Sequence, residues 1–192
     1  MKRERLKKIM SGVLAASFIL GTPAAPGTSI QAEAAKKTGL EKSVQKIIKK
    51  SKAAKETNSK KALKKLFQYV EKNYGYARTI GFENTKGWEK TFAKEMVQDK
   101  KGSCYHFAAL YAFLAKKATG YPVRICLGKT NGFNASRWQD HAWCEIKIGK
   151  KWYLFDTNMD KFAANSKGKY FMKSVSSMKK NFKRTKTIQV KF

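Results

Sequence analysis

Histidine is nearly absent from this sequence. Its 192 residues contain two, so any imidazole chemistry must use His106 or His141. Cysteine is also scarce. Cys104, Cys126 and Cys144 are too few for a disulfide-built miniature scaffold. They show no Cys-x-x-Cys spacing, which disfavours a zinc site, and no metal or cofactor is expected. Acidic residues number 13 against 42 lysines and arginines, giving a formal net charge of +29. No stretch reaches the ~20 consecutive apolar residues that a membrane-spanning helix needs. Apolar residues still make up 42% and aromatics 12%, which is enough for a packed core and excludes wholesale disorder.

The first 34 residues differ from the rest. Lys2, Arg3, Arg5, Lys7 and Lys8 precede a short apolar run at 13–20, and Ala32-Glu33-Ala34 follows as a small-x-small pattern. A basic start, a short apolar stretch and such a site together read as a secretory signal peptide cleaved near Ala34. A secreted or cell-wall-associated protein is therefore expected, with no transmembrane segment in the mature chain. Removing those residues takes away five basic and two acidic groups and leaves +26, so the basic excess belongs to the exported part.

Residues 35–60 are Lys-rich, yet Leu40, Val44, Ile47 and Ile48 fall at helical spacing and predict a short amphipathic helix. Residues 61–192 form the expected main domain. Asn58 or Ser59 can cap a helix carrying Leu63, Leu66, Phe67 and Val70. Residues 73–86 read as a connection, and 88–97 as a further helix. Gly102-Ser103 opens a helix in which Phe107, Leu110, Tyr111 and Leu114 share a face, ending near Thr119-Gly120 ahead of Pro122. Strand-like runs follow at 123–127, 141–148, 152–156, 169–172 and 187–192. Helices first and strands afterwards predict an α+β domain.

Three residues carry candidate chemistry. Cys104 falls in the first turn of its helix, where unpaired N–H groups and the helix dipole favour a thiolate. The bland alternative is a buried structural thiol. His141 opens a strand that Gly149-Lys150 turns into a hairpin, with Gly placed as a type II′ turn requires. If Ile148 pairs with Lys151, Asp156 falls opposite Trp143 and becomes a diagonal neighbour of His141 on the same face. Such neighbours lie about 7–8 Å apart along the backbone, within side-chain reach. A three-residue loop would instead place them on opposite faces. Asp156 can then fix the imidazole tautomer while the other ring nitrogen meets a nucleophile. His106 falls about 200° around the helix from Cys104 and is a poor candidate base.

Four blocks in order resemble the core of the transglutaminase-like superfamily over roughly residues 85–160. They are Gly102-Ser103-Cys104-Tyr105-His106-Phe107-Ala108-Ala109-Leu110, Gly120-Tyr121-Pro122-Val123-Arg124, His141-Ala142-Trp143-Cys144-Glu145-Ile146 and Trp152-Tyr153-Leu154-Phe155-Asp156-Thr157. The resemblance implies a papain-like α+β fold in which the catalytic Cys starts a helix packed on an antiparallel sheet. It implies Cys104 as nucleophile, His141 as general base and acid, and Asp156 as orienter. The implied reaction is cysteine-dependent acyl transfer on amide bonds of a protein or peptide through a thioester, as a peptidase, deamidase or transglutaminase. It also makes the indole N–H of Trp88 a candidate oxyanion donor beside the Cys104 backbone N–H, although a tryptophan near a helix start is more often core.

Several features stay open at this level. Cys126 and Cys144 fall in neighbouring strands, either bridged or as two core thiols. The 36 lysines against six arginines favour diffuse attraction to an anionic cell-wall polymer or membrane surface over specific nucleic-acid reading. They equally suit a plain solvated surface. A non-catalytic wall- or polyanion-binding module on the same fold is the competing reading.

Overall fold

The structure is a computed structural model that describes residues 39–192. The expected signal peptide and its cleavage point lie outside the described residues. Helix α1 (Gly39–Lys50) turns Leu40, Val44 and Ile47 inward and its lysines outward. A 3-10 turn at Ala53–Lys55 leads to α2 (Ser59–Asn73), capped by Asn58, whose Oδ1 accepts the Lys60 and Lys61 amides. Helix α3 (Trp88–Asp99) precedes α4 (Cys104–Thr119).

Residues 106–115 of α4 are all buried, so this helix is apolar on every side and the others wrap around it. The Tyr111 hydroxyl crosses to the Leu63 carbonyl of α2 at 3.2 Å. Leu40, Val44 and Ile47 join the same core, so the start of the Lys-rich segment packs against the domain.

Five strands form one antiparallel sheet. They are β3 (Val123–Thr130), β4 (Gln139–Ile148), β5 (Lys151–Phe155), β6 (Lys173–Ser174) and β7 (Phe182–Gln189), in the order β6-β5-β4-β3-β7. Ala142, Cys144 and Ile146 of β4 enter the large core that holds α4. Trp143 points the other way, into a smaller cluster with Cys126, Leu154, Met159 and Phe182. The expected hairpin register is present, with Ile148 opposite Lys151. Gly149 has φ 59° while Lys150 is not in the left-handed region, as a type II′ turn requires.

Two short strands join earlier segments. In this pair β1 (Gly75–Tyr76) lies parallel to β2 (Lys101–Gly102), and the residues after α2 are held beside Cys104. The first of these strands falls in the stretch that patterning alone reads as a connection.

Three other expectations change. The strand expected at 169–172 is not formed, because Asp160 draws the chain into a turn by accepting the Gly168 and Tyr170 amides at 2.8 and 2.7 Å. From this part of the chain, Lys173–Ser174 alone pairs with β5. The last strand begins at Phe182, not near 187. Its lysines and arginine sit on a charged edge that resists further pairing and hides the alternating pattern. Asp156 leaves the sheet and caps a helix not foreseen, α5 (Thr157–Phe162).

Asp160 also meets Glu71 of α2. Burial, followed by the hydrogen bond to Asp160, pushes the Glu71 carboxyl up to about 8, against the milder pull of Lys161 and Lys167. A carboxyl raised in the folded state binds its proton more tightly there, so stability declines as pH rises from about 4.5 to 8. Glu71→Gln keeps the hydrogen bond without the charge. Its melting temperature should match wild type near pH 5 and exceed it at pH 9, as thermal scans at the two pH values will show.

Candidate active site

Cys104 is the first residue of α4 and is 8% exposed. Its placement starts with Gly102, where an added Cβ would fall 2.5 Å from the His106 side chain, so only glycine allows the close approach. The Ser103 amide donates to His106 Nδ1 at 3.2 Å, which makes that nitrogen an acceptor. The proton then resides on Nε2, which meets Glu95 Oε2 at 3.1 Å. Phe92 stacks on the ring at 4.2 Å. Burial holds His106 below its ordinary range despite Glu95. His106 is thus a neutral brace for the helix start, with both ring nitrogens engaged.

His141 is 1% exposed and enclosed by rings, with Phe133 edge-on at 5.6 Å and Trp143 stacked at 6.3 Å. Its Nε2 lies 2.6 Å from Asp156 Oδ2. The other carboxylate oxygen, Oδ1, accepts the Met159 amide at 2.9 Å and caps α5. Burial alone would push the imidazole down. The Asp156 charge, its hydrogen bond and the neighbouring Cys104 outweigh that and raise it to about 10. The structure therefore gathers Cys104, His141 and Asp156 in one place.

Below the site, Glu145 follows Trp143 on the same face of β4 and is 1% exposed. It accepts from the Trp143 indole at 3.0 Å, from Arg124 at 2.8 and 2.5 Å, and from Arg184 at 2.9 and 3.1 Å. This buried ion cluster ties β3, β4 and β7 together beneath the histidine. Sequence reasoning missed it, although Arg124 and Glu145 both sit in the quoted blocks.

Cys104 borders two cavities. The larger, about 880 Å³, includes Arg78, Lys129, Arg137 and Trp138. The smaller, about 350 Å³, includes Phe133, His141, Asn158 and Phe162. Among the described residues, Asn158 Nδ2 is the single buried side-chain nitrogen or oxygen without a hydrogen-bond partner.

Trp88 follows the core reading and not the donor one. Its indole N–H donates to Asn84 Oδ1 at 3.0 Å, and its ring packs among Phe82, Phe92 and Tyr105. Cys126 and Cys144 are free. Cys126 lies opposite Trp143, and Cys144 opposite Ile125, so the two thiols point to opposite faces of the sheet and form no bridge. Among the described residues no group of three His, Cys, Asp or Glu side chains is arranged to hold a metal. No described helix is long and apolar enough to cross a membrane.

Comparison with known families matches residues 46–157 to the transglutaminase-like superfamily. The chain belongs to that superfamily. Among solved structures, a TGase is similar at 18% identity and a TM-score of 0.47, over 66% of this chain and 34% of that one. A protein from Cytophaga hutchinsonii described as a candidate cysteine protease is similar at 18% identity and a TM-score of 0.45, over 77% of this chain and 50% of that one. The chain thus spans between a third and a half of the length of these two proteins. Comparison with curated proteins found no match. Membership agrees with the transglutaminase-like α+β fold described above.

Two measurements check the site. Cys126 and Cys144 are fully buried, with thiols that burial pushes up. Iodoacetamide at neutral pH should therefore label the native protein once, at Cys104, and three times after unfolding, as peptide mass spectrometry will show. By histidine NMR, His141 should titrate near pH 10 and His106 below its ordinary value. Asp156→Asn should bring His141 down while leaving His106 in place.

Proposed function

We propose that the protein transfers the acyl group of a protein or peptide amide to water or to an amine, using Cys104 as nucleophile. The observation that carries this reading is the 2.6 Å contact between His141 Nε2 and Asp156 Oδ2. It fixes the tautomer and leaves Nδ1 for the thiol at the start of α4.

In this mechanism His141 takes the Cys104 proton, and the sulfur attacks the amide carbonyl carbon. The carbonyl electron pair moves onto oxygen, which the Cys104 backbone N–H stabilises. That N–H belongs to the first turn of α4 and lacks an intrahelical partner. The C–N bond then breaks, His141 gives its proton to the leaving nitrogen, and a thioester remains. Water or an amine attacks the thioester while His141 accepts its proton, and the sulfur leaves as thiolate. Asp156 keeps its charge throughout and supports the imidazolium.

The elevated His141 value, to which the neighbouring Cys104 contributes, keeps a proton on the imidazole across the neutral range for delivery to the leaving nitrogen. We place this activity outside the cell, secreted or at the wall, where the Lys-rich surface draws the protein toward anionic polymer.

Digestion of peptide and wall-fragment libraries followed by mass spectrometry tests the reaction, because cleavage, deamidation and joining change mass differently. Cys104→Ala should remove activity by about 10³-fold or more while leaving the fold intact. A Cys104→Ala protein that stays folded and fully active would refute the reading. Trp88→Phe should chiefly lower stability, by roughly 1–3 kcal/mol, with far less effect on turnover.

A further inference from the structure

Arginine is used sparingly in this chain and, among the described residues, in two settings. Against 36 lysines there are six arginines, and four of them lie in the described residues. Arg124 and Arg184 hold the buried Glu145. The other two, Arg78 and Arg137, both line the larger cavity beside Cys104. Among the described residues neither has a carboxylate partner.

The remaining charges of that cavity are Lys129 and Asp140, which lie 4.0 Å apart and largely offset each other. Lys183 adds positive potential at its edge, 4.2 Å over the ring of Trp138. A random basic surface on this chain would present lysine. A planar guanidinium differs from lysine in offering a fork that grips a carboxylate with two parallel hydrogen bonds.

We propose that the larger cavity is a carboxylate-binding subsite, in which Arg78 and Arg137 hold an acidic group of the peptide whose amide meets Cys104. This rests on the acyl-transfer reading above and adds a substrate class, acidic peptides. The carboxylate comes either from an Asp or Glu side chain or from a free C-terminus. The smaller cavity, with Phe133 and Phe162, takes the less polar part of the substrate.

Iodoacetate and iodoacetamide test this on the whole protein, because both alkylate sulfur with loss of iodide and differ in one carboxylate. The quantity measured is the ratio of their rates at Cys104 in low salt, so a general change in thiol reactivity cancels. The Arg78→Gln, Arg137→Gln double variant should lower the iodoacetate-to-iodoacetamide ratio about fivefold. Lys46→Gln with Lys94→Gln removes the same charge away from the cavity and should change the ratio by less than about 1.5-fold. Arg78→Lys with Arg137→Lys keeps the charge and, by losing the fork, should fall between the two. The single Arg→Gln variants give the same comparison if the double variant does not fold.

An unchanged ratio in the arginine variants, or an equal fall in the lysine pair, overturns the subsite while leaving the nucleophile in place. Failure of iodoacetamide to label wild-type Cys104 defeats the acyl-transfer reading and the subsite with it. Competition then separates the two carboxylate sources. Stronger slowing of labelling by N-acetyl-glutamate α-amide supports a side-chain carboxylate, and stronger slowing by N-acetyl-glutamine supports a C-terminal one. Equal slowing by uncharged N-acetyl-glutamine amide overturns the need for charge.

Discussion

The Asp156 carboxylate is the joint on which this structure turns. One oxygen holds His141 at 2.6 Å and the other caps α5 at the Met159 amide. The same group therefore ends strand β5, starts the helix after it and sets the tautomer of the imidazole. A buried carboxylate is costly unless its oxygens are bonded, and this one has partners on both. The rings around His141 then exclude water, so the charge of Asp156 acts on the imidazole at short range and low dielectric.

The two histidines show how environment separates identical side chains. Both are buried and both touch a carboxylate. His141 faces a carboxylate that is itself buried, and the pair keeps the proton. His106 faces Glu95, whose side chain is 43% exposed and screened by solvent, so desolvation wins and the ring stays neutral. One ring is thereby suited to carrying a proton and the other to bracing the turn that presents the thiol.

Much of this was legible in the sequence, and what was hidden has physical causes. Period and caps gave α2, α3 and α4 to within a few residues. A single dipeptide, Gly149-Lys150, gave the register of the β4–β5 hairpin, but that ladder ends at Cys144 and Phe155, and Asp156 meets His141 from the cap of α5 instead of from a strand. Interactions between distant segments left no local trace. The β1–β2 pair consists of two residues on each side. The turn over 166–170 is organised by Asp160, a residue from another element. The Glu145 cluster requires Arg124 and Arg184 to arrive from both flanking strands. The core placement of Trp88 was legible, but its partner Asn84 lies in a stretch with no regular pattern and was not.

The opposed directions of Cys126 and Cys144 carry a further consequence. With no bridge between them, no covalent crosslink joins the described residues, and the chain can reach this fold without an oxidant. The redox burden then falls on one sulfur. Cys104 is the thiol at the surface of the cleft, so sulfenic acid formation or capture by a small disulfide at that atom would block the proposed acyl transfer and leave the architecture untouched.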